Sequence, residues 1–172
     1  MDKKYKLTEE TINVNSRTLY RIEALKDFGN VRKGEKGGFI EKESNLSQNG
    51  DCWVYDNAKV YDDAIVLNDA SICDNAVVCG EAMVCNSAKV CTNAIVNDIA
   101  VVYGNAEIFG DAWVYGNAKV YGNAKVCDHA KVRDHAKVRD EAKVRDDVVV
   151  CDNAWVCDNA QVFGSAVVSG NA

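Results

Sequence analysis

From residue 52 onward the chain keeps a six-residue period that no insertion interrupts. Ala stands at every sixth position from Ala58 to Ala172, with Val148 the one departure and Cys52 opening the series. Two residues further on comes Val or Ile each time, from Val54 and Val60 through Ile72 and Ile108 to Val168. A small and a β-branched residue on either side of a variable one give the period-two alternation of a short strand with one face buried. Between the strands lie pairs such as Asp56-Asn57, Gly104-Asn105, Gly116-Asn117, Gly122-Asn123 and Asp158-Asn159. These residue types tolerate left-handed backbone and so make corners. A sandwich needs longer strands of varied length, so about twenty such units in tandem read as a solenoid.

Composition fits a chain that buries a core. Its 172 residues are 48% apolar, enough for one domain or a domain with a small cap. Apolar runs are far shorter than the eighteen or so residues that span a bilayer. The start, Met1-Asp2-Lys3-Lys4-Tyr5-Lys6, lacks the apolar stretch of a signal peptide, so a cytoplasmic protein is expected. Cys73, Cys79, Cys85 and Cys91 are six apart, as are Cys151 and Cys157, and Cys127 shares that register. Cysteines in one position of a repeat form a structural column, with no Cys-x-x-Cys spacing for zinc. They are expected to be reduced and packed as small apolar residues.

Residues 1–50 follow other rules. Strand-like Thr18 to Leu25 and turn-rich Lys33 to Gly38 precede Phe39-Ile40. The expected organisation is a β-rich cap over 1–50 and a repeat domain over 51–172, since an uncapped first coil would expose unpaired backbone.

The hexapeptide Val-Tyr-Gly-Asn-Ala-Lys at 114–119 and again at 120–125 resembles the aliphatic-x-x-x-small-x repeat of left-handed β-helices. That resemblance implies an all-β, single-stranded, left-handed parallel β-helix, a triangular solenoid of three hexapeptides per coil and six to seven coils. The left hand comes from the resemblance alone, because ordinary parallel crossovers are right-handed. Arg21 to Asp27, Gly37-Gly38-Phe39-Ile40, Asn45-Leu46-Ser47 and Gly50 to Trp53 are similar to the YdcK-like β-solenoid proteins. Those are often labelled transferases on fold alone, which is an analogy and supplies no mechanism.

With eighteen residues per coil, the outward positions sort onto three faces. The first carries Lys59, Val77, Ile95, Trp113, Lys131, Val149 and Val167; the second Ile65, Met83, Val101, Lys119, Lys137 and Trp155; the third Trp53, Ser71, Lys89, Glu107, Lys125, Lys143 and Gln161. Two faces are strongly apolar, and exposed apolar patches mark interfaces. Val77, Ile95, Trp113, Ile65, Met83, Val101 and Trp155 are therefore expected to meet another subunit, the cap or a partner. A trimer through the flat faces, or a dimer through the C-terminal coil, are the forms considered.

Charge divides along the axis. Residues 51–118 hold ten acids against Lys59 and Lys89, whereas Lys119, Lys125, Lys131, Arg133, Lys137, Arg139, Lys143 and Arg145 form a basic belt over 119–147. The belt could hold a phosphate backbone, and Asp56, Asp62, Asp63, Asp69 and Asp74 could imitate one. The plainer reading is that Lys and Arg fill outward positions while Asp makes corners.

Catalysis lacks an evident constellation. Acyltransferases and carbonic anhydrases of the hexapeptide kind use histidine, the former with a projecting loop. Here no loop interrupts the repeat, and His129 and His135, one repeat apart, fall on successive corners where they cannot share a metal. No phosphate loop, nucleophile elbow, catalytic residue, metal site or cofactor is expected. The sequence points to a non-catalytic scaffold that binds a macromolecule. Its sharpest form is an inhibitor of a nucleic-acid-handling enzyme, in the manner of β-helical anti-CRISPR proteins from phage. The alternatives are an acyltransferase-like enzyme with an interface histidine and an assembly protein.

Overall fold

A computed structural model describes residues 3–171. Its strands are two residues long from Trp53–Val54 to Val167–Val168 and recur every six residues. Each pairs in parallel with the strand eighteen residues on: Lys59 faces Val77, Val77 faces Ile95, and Ile95 faces Trp113. Three sheets result, of ten, seven and six strands, and together they close a triangular β-solenoid of between six and seven coils. The three faces read from the sequence are these three sheets. Their inner residues, Ala58 to Ala154 and Val54 to Val150, are fully buried in one continuous core.

The corners explain the third constraint on the repeat. The fourth residue after each Ala has positive φ, between +52° at Asp56 and +75° at Gly170. Its side chain, where it has one, usually does a second job. Asp74 accepts a hydrogen bond from the amide of Thr92 (2.8 Å), Asp98 from Gly116 (2.9 Å) and Asp146 from Gly164 (2.8 Å). Each acceptor sits one coil before its donor. The corner amide lacks a main-chain acceptor among the described residues, so the previous coil's carboxylate satisfies it. Asp at a corner thus tolerates the left-handed region and caps its neighbour.

The N-terminal segment continues the first face. A hairpin of β1 (Tyr5–Val14) and β2 (Arg17–Ala24) leads into antiparallel β3 (Lys36–Ile40), which pairs in parallel with Lys59–Val60. Leu19 and Phe39 bury Tyr61 on the outer side of this sheet and pack on Val77 and Cys79. Trp53, read from the sequence as an outward residue of the third face, is fully buried instead. It is enclosed by Tyr5 and Phe28, with ring centroids at 6.1 and 5.3 Å. Two polar residues finish the open end. The buried Lys4 ammonium donates to the carbonyls of Gly50 (3.1 Å) and Cys52 (2.9 Å) and to the Cys52 sulfur (3.4 Å). The buried Asn45 amide donates to Asp62 O (3.0 Å) and Ala64 O (2.9 Å). No described helix is long and apolar enough to cross a membrane.

Corner geometry predicts unequal costs for one substitution. A Cβ on Gly122 (φ +73°) would lie 2.7 Å from the amide nitrogen of Asp140, whereas one on Gly164 (φ +72°) meets nothing within 4 Å. Gly164→Ala is expected to cost about 1 kcal/mol from the left-handed conformation alone. Gly122→Ala adds a backbone clash and should cost about 2 to 4 kcal/mol. Urea denaturation followed by circular dichroism checks the difference; equal midpoints for the two variants would contradict it.

Candidate functional site

The acidic residues are largely occupied within the chain. Asp56, Asp62 and Asp74 accept the corner amides of Asp74, Gly80 and Thr92, and Asp62 also pairs with Arg17. Asp63 pairs with Lys42 at 2.6 Å, a bond that holds its carboxyl below the usual range, and Asp69 accepts the amide of Asp51 at 3.1 Å. Asp56 and Asp74 share one corner and Asp62 occupies another, so the five do not line one edge.

The basic residues form a collar. Lys131 lies on the first face, Lys119 and Lys137 on the second, Lys125 and Lys143 on the third, and Arg133, Arg139 and Arg145 stand between their strands and the three corners that come next. Lys125 pairs with Glu107 at 2.8 Å, Arg133 with Asp134 at 2.7 Å and Arg139 with Asp140 at 2.8 Å. Several cations lie on aromatic rings: Lys137 at 4.4 Å from the Trp155 centroid, Lys131 at 6.0 Å from Trp113 and Arg145 at 5.1 Å from Phe163. Such stacking is electrostatically favourable and leaves part of each charge open.

The two histidines differ. His135 borders a shallow depression of about 420 Å³ on the second face, with Lys119, Lys137, Trp155, Ile99, Asn117 and Asn153. His129 stands on the corner that leads into Lys131, one coil after Asp111. Its Nδ1 lies 3.6 Å from Asp111 Oδ2, and both side chains are more than half exposed. That distance exceeds a hydrogen bond but is within ion-pair reach. The strand after this corner brings Trp113 and Lys131 side by side. The eighteen-residue interval between Asp111 and His129 identifies their stacking in the sequence, although neither residue stands out from the other polar corner residues there.

The cysteine column departs from expectation. Cys73 and Cys91, one coil apart with Cα atoms 4.7 Å from each other, are joined as a disulfide. Of the other six, only Cys52 and Cys151 are buried, because the residue after the buried Val turns toward the corner edge. Burial and then the Asp128 carboxylate push the Cys127 thiol up to about 11. Three groups each bring three ligand-type atoms together: Cys73-Asp74-Cys91, whose thiols are spent in the disulfide, Asp134-Cys151-Asp152 and Asp140-Cys157-Asp158. Their Asp134 and Asp140 carboxylates already hold Arg133 and Arg139.

Of the residues expected at an interface, Val77 is packed beneath the hairpin. Ile65, Met83, Val101 and Ile95 are partly exposed, and Trp113 and Trp155 are nearly half exposed.

No protein-family profile matches the chain. Over 38 residues it is 47% identical to a protein named uncharacterized acetyltransferase YdcK from Escherichia coli (strain K12). The matched stretch is 22% of this chain and 12% of that protein, so the chain spans about an eighth of the length of its curated relative. This local match and the solenoid agree on a hexapeptide-repeat-like β-helix.

Thiol chemistry checks the cysteine assignment. Titration with a disulfide reagent in denaturant should find six thiols before reduction and eight after. In the folded protein, alkylation of Cys127 should be slow near neutral pH and rise as pH approaches the thiol's raised value of about 11, since the thiolate is the nucleophile. Eight thiols before reduction would remove the disulfide.

Proposed function

We propose that this chain is an acyl-transfer protein of the hexapeptide-repeat kind, with His129 as general base and Asp111 as the group that orients it. The observation that carries the reading is an exposed imidazole with a carboxylate one coil below it, on the corner that leads into the paired strands of Trp113 and Lys131. The local similarity to a protein named acetyltransferase supports it. Closing the 3.6 Å gap between Asp111 Oδ2 and Nδ1 would form the hydrogen bond that selects the tautomer leaving Nε2 free to take a proton. Nε2 would remove that proton from an acceptor hydroxyl or amine as it attacks a thioester carbonyl, and return it to the departing thiolate. Lys131 would meet donor phosphates and Trp113 would supply a flat apolar wall. General base catalysis of this kind contributes roughly 10² to 10⁴ in rate.

The test is thiol release from acetyl-CoA with a panel of amine and hydroxyl acceptors. His129→Ala should reduce the rate by about 100-fold or more, Asp111→Asn by about tenfold, and His135→Ala by less than about twofold. Absence of release above the uncatalysed rate, or equal loss in His135→Ala, would refute the assignment.

A second reading, a scaffold that inhibits a nucleic-acid-handling enzyme, is favoured by the cations stacked on exposed rings. Lys131, Lys143 and Arg145 have no carboxylate partner among the described residues. If these three neutralise phosphates, affinity for a labelled single-stranded oligonucleotide should fall roughly 20-fold between 50 and 200 mM salt. A salt-independent signal, or none, argues against direct contact with nucleic acid.

A further inference from the structure

The second face is divided against itself. Its N-terminal half is a ridge of Ile65, Met83 and Val101; its C-terminal half holds Lys119, Lys137 and Trp155 around the 420 Å³ depression. Lys119 and Lys137 are directly cross-strand, an arrangement of like charges that is unfavourable alone. Neither has a carboxylate partner among the described residues, and Glu81, exposed on the corner before Met83, has no basic partner among them. The hairpin that packs against the first face at Val77 leaves this one open.

We infer that the second face pairs with the same face of a second copy, with the two solenoid axes antiparallel. A twofold axis between the Val101 and Lys119 strands places Val101 against the second copy's Lys119, Met83 against its Lys137 and Ile65 against its Trp155. The ridge of each copy then enters the depression of the other. On the adjoining corner, Glu81 meets the second copy's His135, beside Lys137. The charge pattern selects this arrangement, because pairing with parallel axes would set Lys119 on Lys119 and Lys137 on Lys137.

Size is consistent with a reversible pair. Six strands about 4.8 Å apart give a face about 30 Å long, and its extended residues make it about 15 to 20 Å wide. Roughly 500 Å² per copy, or about 1,000 Å² in all, is the lower limit for a specific interface. The parallel, in-register sheets supply a regular surface for it. The inference does not depend on acyl transfer, since His129 and Asp111 lie on a different corner and stay open in the pair.

Sedimentation equilibrium on the full chain between about 10 and 200 μM tests the register. The unmodified protein should be a dimer in this range. Met83→Lys, which sets two ammonium groups together at each of two equivalent contacts, should weaken association by about 30-fold or more. Met83→Glu, at the same position with opposite charge, should associate at least as tightly as the unmodified protein. Ile95→Lys on the first face should leave association unchanged, and all variants should share one circular dichroism spectrum. A monomer throughout the range, equal behaviour of Met83→Lys and Met83→Glu, or dissociation by Ile95→Lys would overturn the inference.

Discussion

Everything in this molecule depends on the hydrogen bond that each strand sends to the coil above it. Trp53 N donates to Ala70 O, Lys59 N to Ala76 O and Lys131 N to Val148 O, always with the same offset. A ladder with fixed offset permits no slip, and a one-residue shift would turn every buried Ala and Val outward. Position in the repeat therefore dictates burial, and position modulo eighteen dictates neighbours. Side chains that are remote in sequence become a column one coil apart, as Cys73 and Cys91 show by forming a disulfide.

That rule made most of the fold legible. Ala and Val or Ile at fixed spacing specify buried positions without any long-range information, and counting by eighteen placed Lys119 beside Lys137 and Trp113 beside Lys131. The rule fails where the period ends. Trp53 occupies an outward position, yet Tyr5 and Phe28 close over it from a segment that has no period to count. Lys4 and Asn45 are equally opaque in sequence. Each reads as an ordinary polar residue, and only the capped carbonyls of the first coils show why it is buried.

The candidate site was legible in part for the same reason. Both histidines could be placed on corners by counting, but their surroundings distinguish them. His129 has a carboxylate below it, while His135 looks onto a depression with two ammonium groups. The acidic residues show the opposite lesson. As a list, Asp56, Asp62 and Asp74 suggest a charged surface; in place, each carboxylate answers an amide that the corner leaves without a main-chain acceptor. Composition counts charges, whereas hydrogen-bond accounting decides which remain available to a partner.

The direction of those corner bonds bears on how the chain acquires its structure. The carboxylates of the positive-φ corner residues reach forward, from the coil made earlier to the amide of the coil made later, and most contacts outside the cap join residues one coil apart. Such a polymer can add turns in the order of synthesis, each finished turn offering the next a template of carbonyls and waiting acceptors. The Lys4 and Asn45 contacts close the starting end once Ala64 has emerged. Growth can then proceed in one direction from a seed that is already sealed.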